Sequence, residues 1–362
     1  MRNDFSLPPA IERILDAAHW APSGDNAQPW TFELTGENDV TVRIRREAGN
    51  VYEYRQGEPT LISAGTLLEN IAIAAPAFGK RAQWRYLGVE AGGHCIAVHF
   101  EDGPAAQHPL HSQIWQRSVD RRPYRTLPLP PDSKAALTEA AGPEVAVEWH
   151  ESLASRSRVA ALTNRATAIR LKIPETFEIH RRVIDWTRPL SPDGIPARAL
   201  GVDAMTLKIM RWSMVDWKRM NLGNRMGSTL FAGLQMDVLP GLCSAAYFAF
   251  RMAPSAGGSA RVSQLLRAGQ AVQRFWLTAT KLGLAMQPCQ AVLAFTHYGA
   301  AGEKFTVSEG QIRAAARLAR EADKVLAHPE ELVFLARIGV PRPRRQESRS
   351  TRRSLAEQLH AA

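Results

Sequence analysis

The sequence has very few cysteines. Only Cys95, Cys243 and Cys289 occur among 362 residues. They are too few and too widely spaced to form a disulfide framework or a cysteine-ligated metal site. We therefore expect a reduced, cytoplasmic protein with no bound metal.

Long apolar segments are also missing. The most apolar stretch, residues 230–250, is interrupted by Gln235, Asp237 and Pro240, so it falls short of the roughly 20 apolar residues that a membrane-spanning helix needs. Residues 1–15 lack the continuous apolar core of a signal peptide. We expect no membrane partner and no leader sequence.

Positive charge is in excess, with a formal net charge of +10 in an otherwise ordinary globular composition. Much of it lies in two clusters, 117–125 and 337–353, and the second resembles an exposed tail. Such a balance fits nucleic acid, an anionic surface or a phosphate-bearing ligand. Zinc, helix-turn-helix and RNP-type signatures are missing, so we expect no nucleic-acid partner. A nucleic-acid-binding protein without cofactor would be colourless and would bind DNA with a steep salt dependence.

Segments 62–79 and 266–283 are alike at a constant offset. Four pairs of positions are identical, namely Ala64/Ala268, Gly65/Gly269, Ala75/Ala279 and Gly79/Gly283. A glycine inside a helix costs up to about 1 kcal/mol relative to alanine, so its repetition predicts that another backbone passes close by. The pair indicates a duplicated unit, in effect a dimer fused head to tail. The alternative is a chance match between two alanine-rich amphipathic helices.

The order of predicted elements also repeats. Each half opens with a helix after a Leu-Pro-Pro sequence, and apolar patterns predict strands at 30–34, 40–45, 83–87, 95–100, 145–150, 244–250, 291–295 and 332–339. Further helices are expected within 153–188 and 308–326. Residues 189–260 have no counterpart in the first half and are expected to form extra helices over the rest. The predicted fold class is α+β with mostly antiparallel sheets.

One loop is a candidate for ligand binding. It contains Pro22, Ser23, Asn26 and Gln28 and leads into Trp30. Its hydroxyl, carboxamides and backbone N–H groups can meet the polar edges of a planar heterocycle. Alternatively, these side chains only cap and turn the backbone.

Two sets of arginines are candidates for a phosphate. Arg117 and Arg121 are four residues apart and predict a bidentate grip, or a solvated charge run. Arg352 and Arg353 lie near the C-terminus, where a disordered tail is the alternative.

Together these residues resemble the nitroreductase family of FMN-dependent oxidoreductases, over nearly the whole chain except about 189–260. The Pro22–Trp30 loop matches the family's P-S-x-x-N-x-Q-P-W pattern, and Arg117, Ser118 and Arg121 match its arginine motif. The resemblance implies that Pro288, Cys289, Gln290 and Ala291 pass the flavin N5, with backbone amides as donors, and that Arg352 and Arg353 bind the phosphate. Two positions depart from the family, Val119 in place of a hydroxyl and Gln290 in place of the usual Glu.

Family members are homodimers whose FMN sites combine the arginine motif of one subunit with the loop of the other. Here the first half, 1–115, keeps the loop but offers only Arg2 as an N-terminal arginine, and the second half, 116–362, keeps the arginines but has no such loop. This resembles the fused, single-chain Acg-type subgroup. It implies an intramolecular pseudo-dimer with a central helix from each half, one FMN per chain and a lid formed by about 189–260.

The resemblance implies an FMN-dependent oxidoreductase. NAD(P)H is the expected reductant and an electron-poor small molecule, a nitroaromatic or quinone, the expected acceptor in a ping-pong hydride transfer that needs no catalytic side chain. The alternative is an FMN-sequestering or redox-sensing protein whose lidded flavin reacts slowly. We expect a monomeric pseudo-dimer or a weak homo-oligomer.

Overall fold

The computed structural model describes residues 7–90, 93–254, 257–343 and 348–359; Arg2 lies outside them. The first half begins with helix α1, whose apolar side is buried, and continues into a four-stranded sheet interrupted by the long helix α2. A one-turn helix, α3, follows the sheet. The bounds are α1 Pro9–Ala18, β1 Trp30–Gly36, β2 Asp39–Ile44, α2 Tyr54–Ala74, β3 Lys80–Glu90, β4 Gly93–Asp102 and α3 Gln113–Gln116.

The second half repeats this order with additions. Its principal elements are α4 Pro131–Ala141, β5 Ala146–His150, α5 Leu153–Arg170, α6 Pro174–Val183, three two-residue strands β6 Ile184–Asp185, β7 Leu190–Ser191 and β8 Ile195–Pro196, α7 Ala204–Ser213, α8 Trp217–Arg225, α9 Ser228–Gly233, α10 Leu239–Leu242, β9 Ala246–Arg251, α11 Gly258–Lys281, β10 Ala285–Pro288, α12 Gln290–Ala301, α13 Glu309–Ala322, β11 Leu332–Gly339 and β12 Arg349–Ser350. A single π-helical turn, Leu234–Val238, joins α9 to α10.

The two four-stranded sheets have the same topology. The first has the order β1-β2-β4-β3 and the second β5-β9-β11-β10, all antiparallel. In each half an entry helix precedes the first strand, and a long helix connects the second strand to the third. The halves differ by what is inserted between these shared elements.

The long helices α2 and α11 cross at the centre of the molecule. A Cβ built on Gly65 would lie 2.7 Å from the Cα of Gly269, and a Cβ built on Gly269 would lie 2.7 Å from the Cα of Gly65. The sequence prediction that another backbone passes close to each of these glycines is therefore confirmed. Both helical segments are also followed by a glycine with left-handed backbone at equivalent positions, Gly79 with φ 65° and Gly283 with φ 71°.

Polar contacts reinforce the helix crossing. Buried Gln273 donates to the side chain of Asn70 over 2.7 Å, and Arg274 pairs with Glu69 at 3.0 Å. One hydrophobic core contains residues of both halves, so the halves are not separate domains. Contrary to the sequence expectation for 230–250, Tyr54–Phe78 is the described segment that is long and apolar enough to cross a membrane by length and composition. Because 78% of its most apolar window is buried inside the protein, it has the character of a core helix.

Two predictions about the second half are wrong. Residues 291–295, predicted as a strand, belong to helix α12, because a short apolar run cannot by itself distinguish a buried strand from a buried helix. The insertion is also larger than 189–260: it occupies the chain between β5 and β9, and β9 itself is the counterpart of β2.

Candidate ligand site between the two halves

The Pro22–Pro29 loop has an unusual backbone that rests on the central helix. Asp25, Asn26 and Gln28 all have positive φ, at 50°, 62° and 49°, a conformation that side chains other than glycine rarely adopt. The Ser23 hydroxyl accepts a hydrogen bond from the backbone N–H of Gln28 at 2.9 Å, and the Thr66 hydroxyl of α2 donates to the Pro22 carbonyl at 3.0 Å. Such strained loops are typical of functional sites.

The carboxamides of this loop contact two distant segments. Asn26 donates to the carbonyls of Pro192 at 3.0 Å and Thr351 at 3.2 Å. Gln28 donates to the Asn26 and Pro192 carbonyls and accepts from the Arg353 amide and the Gln358 side chain, all at 2.9–3.0 Å. These four contacts use the full capacity of the Gln28 side chain. The structure therefore assigns Gln28 to holding the insertion and the C-terminal segment, rather than to a ligand.

Three arginines gather beside this loop and form what we call the arginine cluster: Arg117, Arg349 and Arg352. Arg117 is buried, donates to the Trp20 carbonyl at 3.1 Å and stacks over Trp276 at 4.7 Å. Its Nε is buried and has no hydrogen-bond partner among the described residues. Burial, followed by the positive charges of Arg352 and Arg349, holds the pKa of Arg117 well below its ordinary value.

Arg352 and Arg349 approach from the C-terminal segment. Arg352 donates to the Trp20 carbonyl at 3.0 Å and from Nε to the Ala21 carbonyl at 3.1 Å. Arg349 donates to the Trp115 carbonyl at 2.7 Å, and its guanidinium lies 5.4 Å from the centre of the Trp20 ring. Burial and the charge of Arg349 lower the pKa of Arg352 to about 9. The like charges of buried Arg117 and partly buried Arg352 favour a bound anion.

Arg121 lies in a different electrostatic environment. Burial lowers the pKa of Arg121 while Asp25 raises it, and its Nη1 donates to the Ala199 carbonyl at 3.3 Å. Burial raises the pKa of Asp25, against the positive charges of Arg121 and Arg170. Arg121 thus faces Asp25 and Arg170, whereas Arg117 faces Arg349 and Arg352.

The backbone between Arg117 and Arg121 is not helical, which does not favour the predicted grip of one phosphate by both side chains. Helix α3 ends at Gln116, Arg117 has extended backbone, and Val119 pairs with Met286 at the edge of the second sheet. Residues four apart are neighbours on a helix but lie about 13 Å apart in extended chain. Arg117 and Arg121 are therefore not neighbours on one helix face.

The Pro288–Ala291 segment joins β10 to the start of α12. The Cys289 amide is already bonded to the Leu335 carbonyl at 2.7 Å, so it is not available as a donor. Gln290 and Ala291 occupy the first turn of α12, where backbone N–H groups have no partner within the helix. The Gln290 side-chain oxygen is buried and accepts no hydrogen bond from the described residues. Burial raises the pKa of the Cys289 thiol to about 12.

The remaining predicted residues are peripheral to the cluster. Ser118 makes a long contact of 3.4 Å to the Val119 carbonyl. Arg353 pairs with Asp193 at 2.8 Å and donates to the Ala27 carbonyl, so it holds the loop rather than joining the arginine cluster.

Sequence reasoning missed Arg349 and the Trp20 carbonyl. Arg349 is one of the basic residues near the C-terminus that resembled an exposed tail, and only its position in β12 shows that it faces inward. The Trp20 carbonyl is a backbone group, so no residue type in the sequence indicates its role.

Two other surface features lie away from these residues. A cleft of about 270 Å³ between α5 and α13 is lined by Arg165, Ile169 and Leu318 and includes none of the predicted site residues. Ligand atoms of His328, Glu330 and Glu331 lie within 4.8 Å of one another, and the group is largely exposed. Neither feature contacts the arginine cluster.

Comparisons with known proteins give distant similarities. No protein-family model matches the chain. The uncharacterized protein MT1398 of Mycobacterium tuberculosis is 24% identical over 307 residues, which are 79% of this chain and 39% of that protein. The chain thus spans well under half the length of that relative.

Solved structures similar to this chain are nitroreductase-like proteins. A nitroreductase-like family protein from Bacillus cereus is 11% identical with a TM-score of 0.36, covering 70% of this chain and 96% of that one. The FMN-dependent nitroreductase NfnB from Mycobacterium smegmatis, in complex with NADPH, is 19% identical with a TM-score of 0.35, covering 68% and 94%. A nitroreductase with bound FMN from Bacteroides fragilis is 11% identical with a TM-score of 0.32, covering 65% and 90%. At TM-scores this low, the assignment of function depends on the chain's own residues.

Proposed function

We propose that this protein is an FMN-dependent oxidoreductase of the nitroreductase type. The arginine cluster is the observation that carries the proposal. It places three guanidinium groups beside the Pro22–Pro29 loop, and no carboxylate of the described residues raises the pKa of Arg117 or Arg352. A phosphate would satisfy the orphaned Nε of Arg117 with a charge-assisted hydrogen bond.

The rest of the site fits an elongated ligand with a polar heterocycle. Arg121 lies near Asp25 and Arg170 and outside the arginine cluster, so it is available to a part of the ligand other than the phosphate. The side-chain oxygens of Asn26 and Gln290 are buried acceptors that have no partner within the described ranges, and they match the N–H group of such a ring. The backbone N–H groups of Gln290 and Ala291 provide donors from the first turn of α12. The residues present therefore fit FMN.

A single site per chain follows from the asymmetry of the halves. The repeated sheet topology and the facing central helices support an intramolecular pseudo-dimer of the Acg-type arrangement. Residues 19–29 join α1 to β1 and supply the loop, whereas residues 142–145 alone join α4 to β5. The symmetry-related position thus has no equivalent loop. We infer one FMN per chain.

Bound FMN would supply two-electron chemistry, taking hydride from NAD(P)H and reducing a nitroaromatic or quinone in a ping-pong cycle. The chain's own residues then have positioning roles. Arg117, Arg349 and Arg352 hold the anionic end, and the first turn of α12 orients the ring. Pro192, which accepts hydrogen bonds from Asn26 and Gln28, places the insertion over the loop and shields it from water.

The hydrogen bonds from Asn26 and Gln28 to the Pro192 carbonyl also favour a second function. Because the insertion is bonded to both carboxamides of the loop, it is suited to keeping substrates away from a bound flavin, as in an FMN-sequestering or redox-sensing protein. Rapid mixing of the FMN-loaded protein with NADPH distinguishes the two. Bleaching of the oxidised-flavin absorbance within seconds is the outcome for a reductase, and a flavin that stays oxidised for minutes supports sequestration.

A further inference from the structure

The insertion between β5 and β9 exposes an apolar surface. Most of the large apolar side chains that the described part of the chain exposes lie between residues 205 and 239. Met226, Leu230 and Phe231 are 79%, 76% and 67% exposed. Soluble monomers rarely expose apolar side chains in such concentration unless the surface binds something. We call the exposed surface of residues 205–239 the insertion face.

Helix α7 shows that the exposure follows a helical pattern. Met205, Ile209 and Trp212 are exposed and are spaced four and three residues apart. This spacing places them along one side of the helix. The apolar stripe of α7 is therefore directed outward, opposite to the usual arrangement.

The insertion is anchored by other residues. Met214 and Met220 are buried with Phe177 of α6 in a small separate core. Asp203 caps α7 and Asp216 caps α8 through hydrogen bonds to backbone amides. The exposed apolar side chains are thus not required to hold the helices in place.

Basic residues flank the apolar stripe. Lys208 and Arg211 lie on α7 beside Ile209 and Trp212, and Lys218 and Arg225 are exposed on α8. The acidic residues Asp203 and Asp216 are engaged in capping, and burial raises the pKa of Asp237. The insertion face therefore combines apolar side chains with excess positive charge.

We propose that the insertion face binds the surface of an anionic lipid bilayer. Exposed apolar residues bordered by lysine and arginine are the pattern of helices that lie in the membrane interface, with apolar side chains below the headgroups and basic ones among them. A second copy of this chain fits less well, because a symmetric contact would bring two positively charged faces together. Surface binding requires no spanning helix, and it is an alternative to the expectation of no membrane partner.

Flotation of the full-length protein with vesicles tests the proposal. We expect co-flotation with vesicles of equal parts phosphatidylcholine and phosphatidylglycerol at low salt, and much weaker co-flotation with phosphatidylcholine alone. Leu230→Ser and Phe231→Ser should each weaken partitioning about tenfold. Lys208→Gln combined with Arg211→Gln should reduce binding and its salt dependence.

Val89→Ser is the matched control, because Val89 is 63% exposed on β3, outside the insertion face. It should bind vesicles like the parent protein. Thermal unfolding confirms that each variant folds. Failure of the parent protein to bind anionic vesicles, equal binding by Phe231→Ser, or a dimer in light scattering that Phe231→Ser dissociates would each overturn the proposal. The last of these results would assign the face to self-association.

Discussion

Gly65 and Gly269 are in reciprocal contact: a Cβ added to either would lie 2.7 Å from the Cα of the other. Real Cβ atoms do not approach a backbone carbon this closely, so the helices can cross here only because both positions lack a side chain. The two halves therefore contact each other at equivalent positions of their long central helices.

Substitution of either glycine by alanine should therefore destabilise the protein. The added methyl groups of Gly65→Ala and Gly269→Ala have no space, and overpacking of this kind typically costs about 1–3 kcal/mol. Urea unfolding of each variant measures the change in the free energy of unfolding.

Gly310→Ala provides the control. Gly310 lies in the first turn of α13, and a Cβ built there meets nothing within 4 Å. This variant should be as stable as the parent, or up to about 1 kcal/mol more stable because alanine favours helix. If Gly65→Ala unfolded at the same urea concentration as Gly310→Ala, the close crossing of α2 and α11 would be wrong.

Arg117→Met should separate ligand affinity from stability. It removes a charge-assisted hydrogen bond worth roughly 1.5–3 kcal/mol, so FMN affinity should fall about 10- to 150-fold. The ligand-free protein should be no less stable, because the variant also removes a buried charge that Arg349 and Arg352 repel. Fluorescence titration and thermal unfolding measure the two effects.

Arg320→Gln serves as the matched loss of a positive charge. Arg320 is exposed on α13, away from the arginine cluster. The FMN affinity of the Arg320→Gln variant should equal that of the parent protein. A loss of affinity as large as that of Arg117→Met would indicate a general electrostatic effect rather than a specific phosphate site.

His180 should contribute to acid sensitivity. Burial, aided by the charge of Arg170, lowers the pKa of His180 to about 3, and its Nε2 lies 3.0 Å from the Tyr52 hydroxyl. The unfolded chain then binds a proton at His180 more readily than the folded chain does. His180 therefore contributes fully to the free energy of unfolding above pH 6.5, and this contribution is lost as the pH falls towards 3.

We expect His180→Gln to reduce the dependence of the free energy of unfolding on pH. Between pH 6 and 4, the stability difference between parent and variant should change by about 1.4 kcal/mol per pH unit. Urea unfolding at several pH values provides the comparison. Parallel stability curves for the two proteins would show that His180 does not titrate in this way.

Thiol reactivity should differ sharply among the three cysteines. Cys95 is buried, whereas Cys243 and Cys289 are both partly buried. Burial raises the pKa of both Cys95 and Cys289, in the latter case to about 12, so both thiols should stay protonated at pH 8 and react slowly. The thiol of Cys243 should therefore react fastest with a disulfide reagent in the native protein, and Cys243→Ser should abolish that fast reaction. Rapid labelling of Cys289 would show that its thiol is not held in the protonated form.

The sequence predicted much of the framework because helix and strand periodicities are local. The crossing of α2 and α11 followed from the repeated glycines, and the Pro22–Pro29 loop was identified from its side chains. Positions that depend on tertiary contacts were not predictable. Arg349 resembled part of an exposed tail, and the spacing of Arg117 and Arg121 does not reveal that their charged neighbours differ. Residues 291–295 gave no signal to distinguish a buried helix from a strand.

Flavin stoichiometry tests the central claim most directly. The protein is saturated with FMN, freed of excess ligand, denatured, and its released flavin is measured against chain concentration. The loop lies only between α1 and β1, and the arginine cluster lies beside it, so we predict one FMN per chain. Two FMN per chain would contradict the single-site arrangement, and none retained under saturating conditions would contradict the proposed cofactor itself.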